Sequence, residues 1–398
     1  MSVLHSKKIL LAVSAGIAAY KAAFLVRGLI KCGAEVKVIM TPDAQHFVTP
    51  LTLSTLSKNS VEWEFFGVKG DWNNHVEYAL WADYMIVAPC TANTLSHMAD
   101  GTCDNLVLAT YLSAKCPVYF APAMDLDMYQ HPSTKENIHK LVQNGNILIP
   151  AESGELASGL IGEGRMAEPE NIISFIENHI ASTLPLFGKK IVVSAGPTYE
   201  NIDPVRFIGN YSSGKMGFEI AKEASRLGAN VTLVSGPSHE SVQGFPIHRV
   251  NVVSARDMYE AIHAEFSTAD VVVMSAAVAD YRPKEMATQK IKKNDEDMTI
   301  ELVKNPDILK SLGEIKTTQL LVGFALETNN EEEFAKQKLA KKNLDFIVLN
   351  SMQDKEAGFQ KNTNKITIID KDLTMQSFDA KSKANVAKDI LNVVVKKL

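Results

Sequence analysis

The chain is expected to fold as an α/β protein of two domains, each built on a mostly parallel sheet. Three observations carry this expectation. Apolar runs of about five residues alternate with helix-length amphipathic stretches through both halves, as helix-covered parallel strands require. At 398 residues the chain is longer than one core usually serves, since cores stop growing at ~250–300 residues. The opening Lys7-Lys8-Ile9-Leu10-Leu11-Ala12-Val13-Ser14-Ala15-Gly16 is echoed by Lys189-Lys190-Ile191-Val192-Val193-Ser194-Ala195-Gly196, so a strand–turn–helix start occurs twice.

The elements follow in order. Residues 9–13 read as a strand, and a helix runs from the small Ser14-Ala15-Gly16 turn to Lys31. A secretory leader is the competing reading of this stretch. Ser14 and Gly16 interrupt the apolar run, and its amphipathic continuation through Lys21 and Arg27 favours strand and helix. Strands follow at 35–40, 84–88, 118–121 and 147–149, with helices at 75–81, 105–113, 133–143 and 171–180. Right-handed crossovers between such strands give Rossmann-like domains, with ligands at the carboxyl ends of the strands. Gly16, Thr41, Cys90 and Met124 fall there. Ser, Thr, Pro and Gly cluster without periodicity at 181–188, a linker that sets domain bounds of 1–182 and 189–398. The second half places strands at 231–235, 271–274, 320–324, 346–349 and 365–369, and a closing amphipathic helix at 384–395. The motifs downstream of the two glycine turns differ, so the echo marks two similar mononucleotide-binding starts and not a tandem repeat.

Composition narrows the class. Apolar content of 46% and charged content of 22% are those of a water-soluble globular protein. A net charge of −5 offers no electrostatic footprint for nucleic acid or an acidic membrane. No apolar run reaches the ~18 residues of a membrane span. Cys32, Cys90, Cys103 and Cys116 show no C-x-x-C pairing, which argues for a reducing, cytoplasmic setting and against zinc. Neither glycine turn spells G-x-G-x-x-G, so a nicotinamide oxidoreductase is disfavoured.

Three first-half segments share small hydroxyl or amide residues that suit a flat polar heterocycle. They are Pro89-Cys90-Thr91-Ala92-Asn93-Thr94, Ala99-Asp100-Gly101-Thr102-Cys103-Asp104-Asn105 and Pro122-Ala123-Met124-Asp125-Leu126-Asp127-Met128-Tyr129. With Ser14-Ala15-Gly16 and His75 in Asn73-Asn74-His75-Val76, this half resembles the flavin-containing cysteine decarboxylase family. The resemblance implies FMN held by Ser14, Gly16, Ile17, Thr41, Thr91, Ala92 and Asn93. It implies His75 as the base at the substrate thiol, with Met124, Asp125 and Arg165 against substrate. The chemistry it implies is decarboxylation made possible by an electron sink. Oxidising the CH2–SH carbon to a thioaldehyde lets charge move onto sulfur as CO2 leaves, and the reduced cofactor then returns the hydride.

Three positions depart from that family's pattern. Asp125 stands where the family has Asn, and Tyr129 where it has Trp. In Gly154-Glu155-Leu156-Ala157-Ser158-Gly159-Leu160-Ile161-Gly162-Glu163-Gly164-Arg165-Met166, Ser158 takes the place of a flap cysteine. A carboxylate facing the substrate carboxylate repels it unless Asp125 is protonated or turned aside. A serine hydroxyl can only relay a proton, for which Glu155, Glu163, Cys90 and Asp125 are candidate sources. A flavin-binding protein with an impaired or regulatory first domain is the rival reading.

The second half brings together Ser194-Ala195-Gly196-Pro197-Thr198, Asp203-Pro204-Val205-Arg206, Asn210-Tyr211-Ser212-Ser213-Gly214-Lys215-Met216-Gly217, Ser275-Ala276-Ala277-Val278-Ala279-Asp280, Lys290-Ile291-Lys292-Lys293, Asn305-Pro306-Asp307-Ile308 and Gly323-Phe324-Ala325-Leu326-Glu327-Thr328. Together they resemble phosphopantothenate–cysteine ligase nearly throughout. Activating a carboxylate with a triphosphate calls for cations, and the resemblance gives Lys290 that role. It implies that Asn210 holds the acyl-cytidylate oxygen and that Arg206, Ser212 and Ser213 contact substrate. CTP would lie against Ala276, Asp280, Asn305, Pro306, Asp307, Ile308, Phe324, Lys338 and Lys341 or Lys342, with Asp280 on Mg2+. A solvated charged loop at 290–293, and ordinary helix pairs between Lys338 or Lys342 and Glu331–Glu333, are the plain alternatives.

The two resemblances together imply a bifunctional enzyme of coenzyme A synthesis. It would join 4′-phosphopantothenate to cysteine with CTP, then decarboxylate the product to 4′-phosphopantetheine. They also imply a homo-oligomer, a dodecamer of decarboxylase trimers joined through ligase dimers, with FMN between subunits.

Overall fold

A computed structural model describes residues 2–67, 70, 72–292, 298–327, 330–351 and 363–398. Lys293 and Thr328, named above within motifs, lie outside the described residues. The chain divides into two compact units, Met1–Ile180 and Ala181–Leu398.

In the first unit, β1 (Lys8–Val13), β2 (Glu35–Met40), β3 (Val61–Glu62), β4 (Tyr84–Cys90), β5 (Val118–Pro122) and β6 (Ile147–Leu148) form one sheet in the order β3-β2-β1-β4-β5-β6. All five pairings are parallel. β1 alternates faces. Ile9, Leu11 and Val13 pack with Leu25, Leu29, Ile172 and Ile176 from two helices, whereas Leu10 and Ala12 pack with Leu106 and Val107 from a third. Burial on both sides explains why β1 reads as continuously apolar. The strand order reverses between β1 and β4, so a crevice opens at their carboxyl ends. β7 (Glu152–Glu155) and β8 (Ile161–Arg165) form an antiparallel hairpin beyond this sheet.

The second unit carries an eight-stranded sheet. It contains β9 (Lys190–Ala195), β12 (Asn230–Ser235), β13 (Ile247–Asn251), β14 (Val271–Met274), β17 (Leu320–Glu327), β18 (Phe346–Ser351), β19 (Thr363–Asp370) and β20 (Met375–Ser382), in the order β13-β12-β9-β14-β17-β18-β19-β20. Only the β18–β19 and β19–β20 pairings are antiparallel. Short hairpins β10–β11 (Tyr199–Asn201, Phe207–Gly209) and β15–β16 (Tyr281–Pro283, Leu302–Lys304) stand outside it. Ile191 and Val193 pack against Phe218 of one helix and Ile390 and Leu391 of the last, while Val192 faces Met258, Ile262 and Leu312. Here the order reverses between β9 and β14.

The repeated Ser-Ala-Gly acquires a structural meaning at these two reversals. Buried Ser14 donates to Pro89 O at 2.7 Å and accepts from the Thr91 N–H at 3.0 Å. Buried Ser194 accepts from the Ala276 N–H at 3.1 Å, and Ser275 donates to Ser194 O at 2.7 Å. Each serine thus clips the two central strand ends together.

Two expectations need amending. The stretch after Gly16 is not one helix: a 3-10 turn at Ile17–Lys21 precedes the α-helix Ala22–Lys31, a common way to start a helix. The hairpins and β20 carry no apolar run to reveal them. β20 is almost wholly exposed and lies at the sheet edge, where polar side chains are the rule.

Candidate functional site

The first unit holds a cavity of about 660 Å³ at the β1/β4 reversal. Gly16, Ile17, Thr91, Ala92, Asn93, Met124, Asp125 and Arg165, all singled out in the sequence, line it. The 3-10 turn that follows Gly16 has no side-chain cap at its N-terminus, so its first N–H groups remain for an anion. Apolar walls from Ile17, Met124 and Met128, with Thr91 and Asn93 for polar edges, suit a flat heterocycle carrying a phosphate. These residues therefore fit FMN.

Asp125 is turned partly aside. It caps the short helix Leu126–Gln130, and its Oδ1 accepts from the Leu126 N–H at 2.7 Å. The β7–β8 hairpin forms the cavity rim through Glu155, Leu156, Ala157, Gly164 and Arg165. Gly164 sits at φ +135°, where a Cβ would lie 2.5 Å from Met124 O, so the hairpin root approaches backbone to backbone. There the Met124 N–H donates to Gly164 O at 3.0 Å. Arg165 and Lys21 converge on Glu168. Lys21, 3% exposed, donates to Met166 O at 2.7 Å and to Glu168 at 3.0 Å. Burial pushes the Glu168 carboxyl up, but Lys21 and Arg165 outweigh it and hold it below its ordinary value.

Several residues singled out in the sequence lie outside the lining. Ser14 is committed to its clip. Thr41 is buried, and its Oγ1 finds no protein partner. Ser158 is exposed in the hairpin turn, where its Oγ accepts from the Leu160 N–H at 3.4 Å. His75 opens the helix His75–Trp81, capped by Asn74, in a cluster with Phe65 and Trp72; its Nδ1 is buried without a partner. Cys90 packs against Met98 Sδ at 3.9 Å, and burial pushes its thiol far above the ordinary range. Of the candidate proton sources, Glu155 and Asp125 line the cavity, and Cys90 and Glu163 do not.

The second unit holds two adjoining cavities, about 350 and 180 Å³, that share Ala276, Val278, Asp280, Phe324 and Lys338. The larger also takes in Asn210, Ser212 and Ser213, beside the helix Lys215–Arg226. The smaller takes in Asn305, Pro306, Asp307, Ile308 and Lys342. Asn210 lines the larger cavity, and its Nδ2 donates to Ala277 O at 3.1 Å and Val278 O at 3.3 Å. Lys338 donates to Phe324 O at 2.9 Å. Asp307 pairs with Lys342 at 3.0 Å; burial pushes its carboxyl up, but the Lys310 N–H and Lys342 hold it below the usual range. Among the described residues no three acidic, His or Cys side chains cluster as a metal site. The single Asp280 carboxylate fits a Mg2+ held chiefly by phosphate and water.

Arg206 and Lys290 line neither cavity. Arg206 donates through Nε to buried Asp203 at 2.9 Å and through a terminal nitrogen to Ile291 O at 2.8 Å. Asp203 also accepts from the Ile291 N–H at 3.1 Å. The pair therefore anchors the loop that presents exposed Lys290. The Arg206 hydrogen bond is the main reason the Asp203 carboxyl lies well below its ordinary value.

Sequence reasoning passed over Lys21 in the first cavity and Asn350, Asn364 and Lys383 in the second. Each stands alone in its segment, and only the fold gathers them.

Residues 2–181 match the family described as Flavoprotein, and residues 186–398 match the DNA/pantothenate metabolism flavoprotein C-terminal domain. A protein from an unknown prokaryotic organism, named cysteine/cysteine sulfinic acid decarboxylase, is 49% identical over 354 residues, 87% of this chain and 99% of that protein. The coenzyme A biosynthesis bifunctional protein CoaBC of Bacillus subtilis (strain 168) is 46% identical over 395 residues, 98% of this chain and 97% of its own length. The Vibrio parahaemolyticus protein of the same name is 45% identical over 373 residues, covering 92% of this chain and 93% of that protein.

Proposed function

Because the chain belongs to the coenzyme A biosynthesis bifunctional family, in which a decarboxylase and a ligase share one polypeptide, we propose that its two units perform the two reactions in sequence. The second unit joins 4′-phosphopantothenate to cysteine using CTP and Mg2+. The first decarboxylates the product to 4′-phosphopantetheine with FMN. The observation that carries this reading is the gathering of separate motif segments at the β1/β4 and β9/β14 reversals.

In the ligase, the smaller cavity takes the nucleoside through Asn305–Ile308, Phe324 and Lys338, and Asp280 faces the metal. The anchored 290 loop presents Lys290 outside both cavities, and on reaching the triphosphate its charge would offset the departing pyrophosphate. Asn210 Nδ2, giving up its bonds to Ala277 O and Val278 O, donates to the acyl oxygen while the cysteine amine attacks.

In the decarboxylase, bound FMN supplies the electron sink that lets the carboxylate leave. The Gly16 turn binds its phosphate, and Thr91, Ala92 and Asn93 border its ring. Arg165, braced by Glu168, meets the substrate carboxylate, and Glu155 stands at the rim as a proton source for the product. His75 lies outside its own chain's cavity lining, which supports an assembly in which a neighbouring subunit supplies it. The proposed assembly is the dodecamer, and the proposed compartment the cytoplasm.

Product analysis of the purified protein with phosphopantothenate, cysteine, CTP and Mg2+ tests the reading. Phosphopantetheine and CMP are the expected products. The relative named for cysteine and cysteine sulfinic acid favours a second reading, in which the first cavity takes the free amino acid. CO2 from free cysteine but none from the ligase product would select it.

A further inference from the structure

Lys383 is the first residue of the last helix, Lys383–Lys397, and is only 6% exposed. Its side chain lines the 350 Å³ cavity of the second unit. Among the described residues no hydrogen bond or ion pair reaches its ammonium. A largely buried ammonium without a hydrogen bond is destabilising, and of its two charged neighbours the cation Lys215 outweighs the more weakly felt Glu240. Lys21 is the internal contrast. Equally buried, it spends its charge on Met166 O and Glu168, as a structural lysine does.

Two further groups in the same wall lack partners. The Oδ1 atoms of Asn350 and Asn364 are buried and accept nothing from the protein. Asn364 is 5% exposed, and among the described residues its Nδ2 reaches only Met216 Sδ at 3.8 Å. The cavity is closed on another side by the start of the twelve-residue helix Lys215–Arg226, entered through Gly214 at φ +82°. A left-handed residue there turns the chain so that the first helical N–H groups meet the cavity.

An unpaired cation beside a second cation and a helix start calls for an anion, and two orphaned amide oxygens call for hydrogen-bond donors next to it. We propose that Lys383 is a substrate-binding residue of the second unit, which, with Lys215, holds a phosphate group whose flanking hydroxyl or N–H groups donate to Asn350 and Asn364. This deepens the ligase reading and rests on it. A phosphate with such neighbours is offered by CTP and by 4′-phosphopantothenate alike. Burial, and then Lys215, hold the Lys383 ammonium below the ordinary lysine range, with Glu240 opposing. An arriving phosphate relieves that strain.

The test uses the full chain and calorimetric titration with CTP and, separately, with 4′-phosphopantothenate. Wild type, Lys383→Gln and Lys383→Arg are compared, and the melting midpoint of each is measured. Loss of a charge-assisted contact should weaken one ligand about 10- to 100-fold in Lys383→Gln, and the ligand affected identifies the source of the phosphate. Lys383→Arg should recover most of that affinity. Removing an unpaired buried charge should leave the melting midpoint of Lys383→Gln unchanged or raised. Unchanged affinity for both ligands in Lys383→Gln overturns the proposal alone. A melting midpoint that falls together with affinity assigns Lys383 to the fold, and also overturns it. Wild-type protein that binds neither ligand overturns the ligase reading itself.

Discussion

At the scale of one residue, Ser158 poses the sharpest question, because a hydroxyl stands in an exposed turn where a thiol acid would serve. Glu155, unlike Ser158, lines the cavity. Glu155→Gln should therefore raise the share of unreduced enethiol product more than Ser158→Ala does, and Ser158→Cys should lower it. Mass analysis distinguishes the products by two hydrogens, and equal ratios in all variants would remove both residues from proton delivery. Asp203 gives a second prediction. Its folded pKa is depressed, mainly by Arg206. Its contribution to stability is thus complete above its unfolded value of about 4 and is lost as pH falls through the folded value. Asp203→Asn should melt lower at pH 7, with a smaller further loss on acidification. Freed from its anchor, the 290 loop should also release pyrophosphate more slowly. A wild-type rate would show that the anchor is dispensable. Lys290→Gln should abolish pyrophosphate release outright, and Asn210→Asp should permit it while blocking amide formation.

At the scale of an element, the helix Lys215–Arg226 is held to the sheet by Gly217. A Cβ at that position would lie 2.6 Å from Ser275 Oγ, 2.7 Å from Ala195 Cβ and 2.8 Å from Ser194 O. Gly217→Ala should destabilise by about 1–3 kcal/mol through overpacking. It should also lift the helix start from the cavity, seen as a lower melting midpoint and weaker ligand binding; an unchanged midpoint would refute the close packing. How legible each element was follows from its burial. β1, β9 and β14 announce themselves because both faces are covered, so their central residues form unbroken apolar runs. The β7–β8 hairpin is Gly- and Glu-rich and rests against one side only, so nothing in its spelling marks a strand. The same logic divides the site residues. Gly16, Thr91, Met124 and Asn210 stand in dense motifs and line cavities. Lys21 and Lys383 are isolated lysines whose burial depends on elements distant in sequence. Ser14 and Arg206 carry motif spellings, yet their side chains bind protein atoms.

At the scale of the molecule, each unit has its own core, with Ile9, Leu25 and Ile176 in one and Ile191, Phe218 and Ile390 in the other. Expressed separately, residues 1–180 and 181–398 should each fold and melt cooperatively. The first should retain yellow flavin and the second should form the amide. A fragment that stays unfolded would show that its core is incomplete alone. The serine clips give this independence a clock. An amide bonded to an interior hydroxyl trades its proton with solvent only when that bond opens. The Thr91 and Ala276 amides should therefore take up deuterium far more slowly than amides at the hairpin tip, which exchange almost at once. Ser14→Ala should hasten Thr91 and leave Ala276 on its original schedule, so that removing a single hydroxyl reads out which half of the chain has opened.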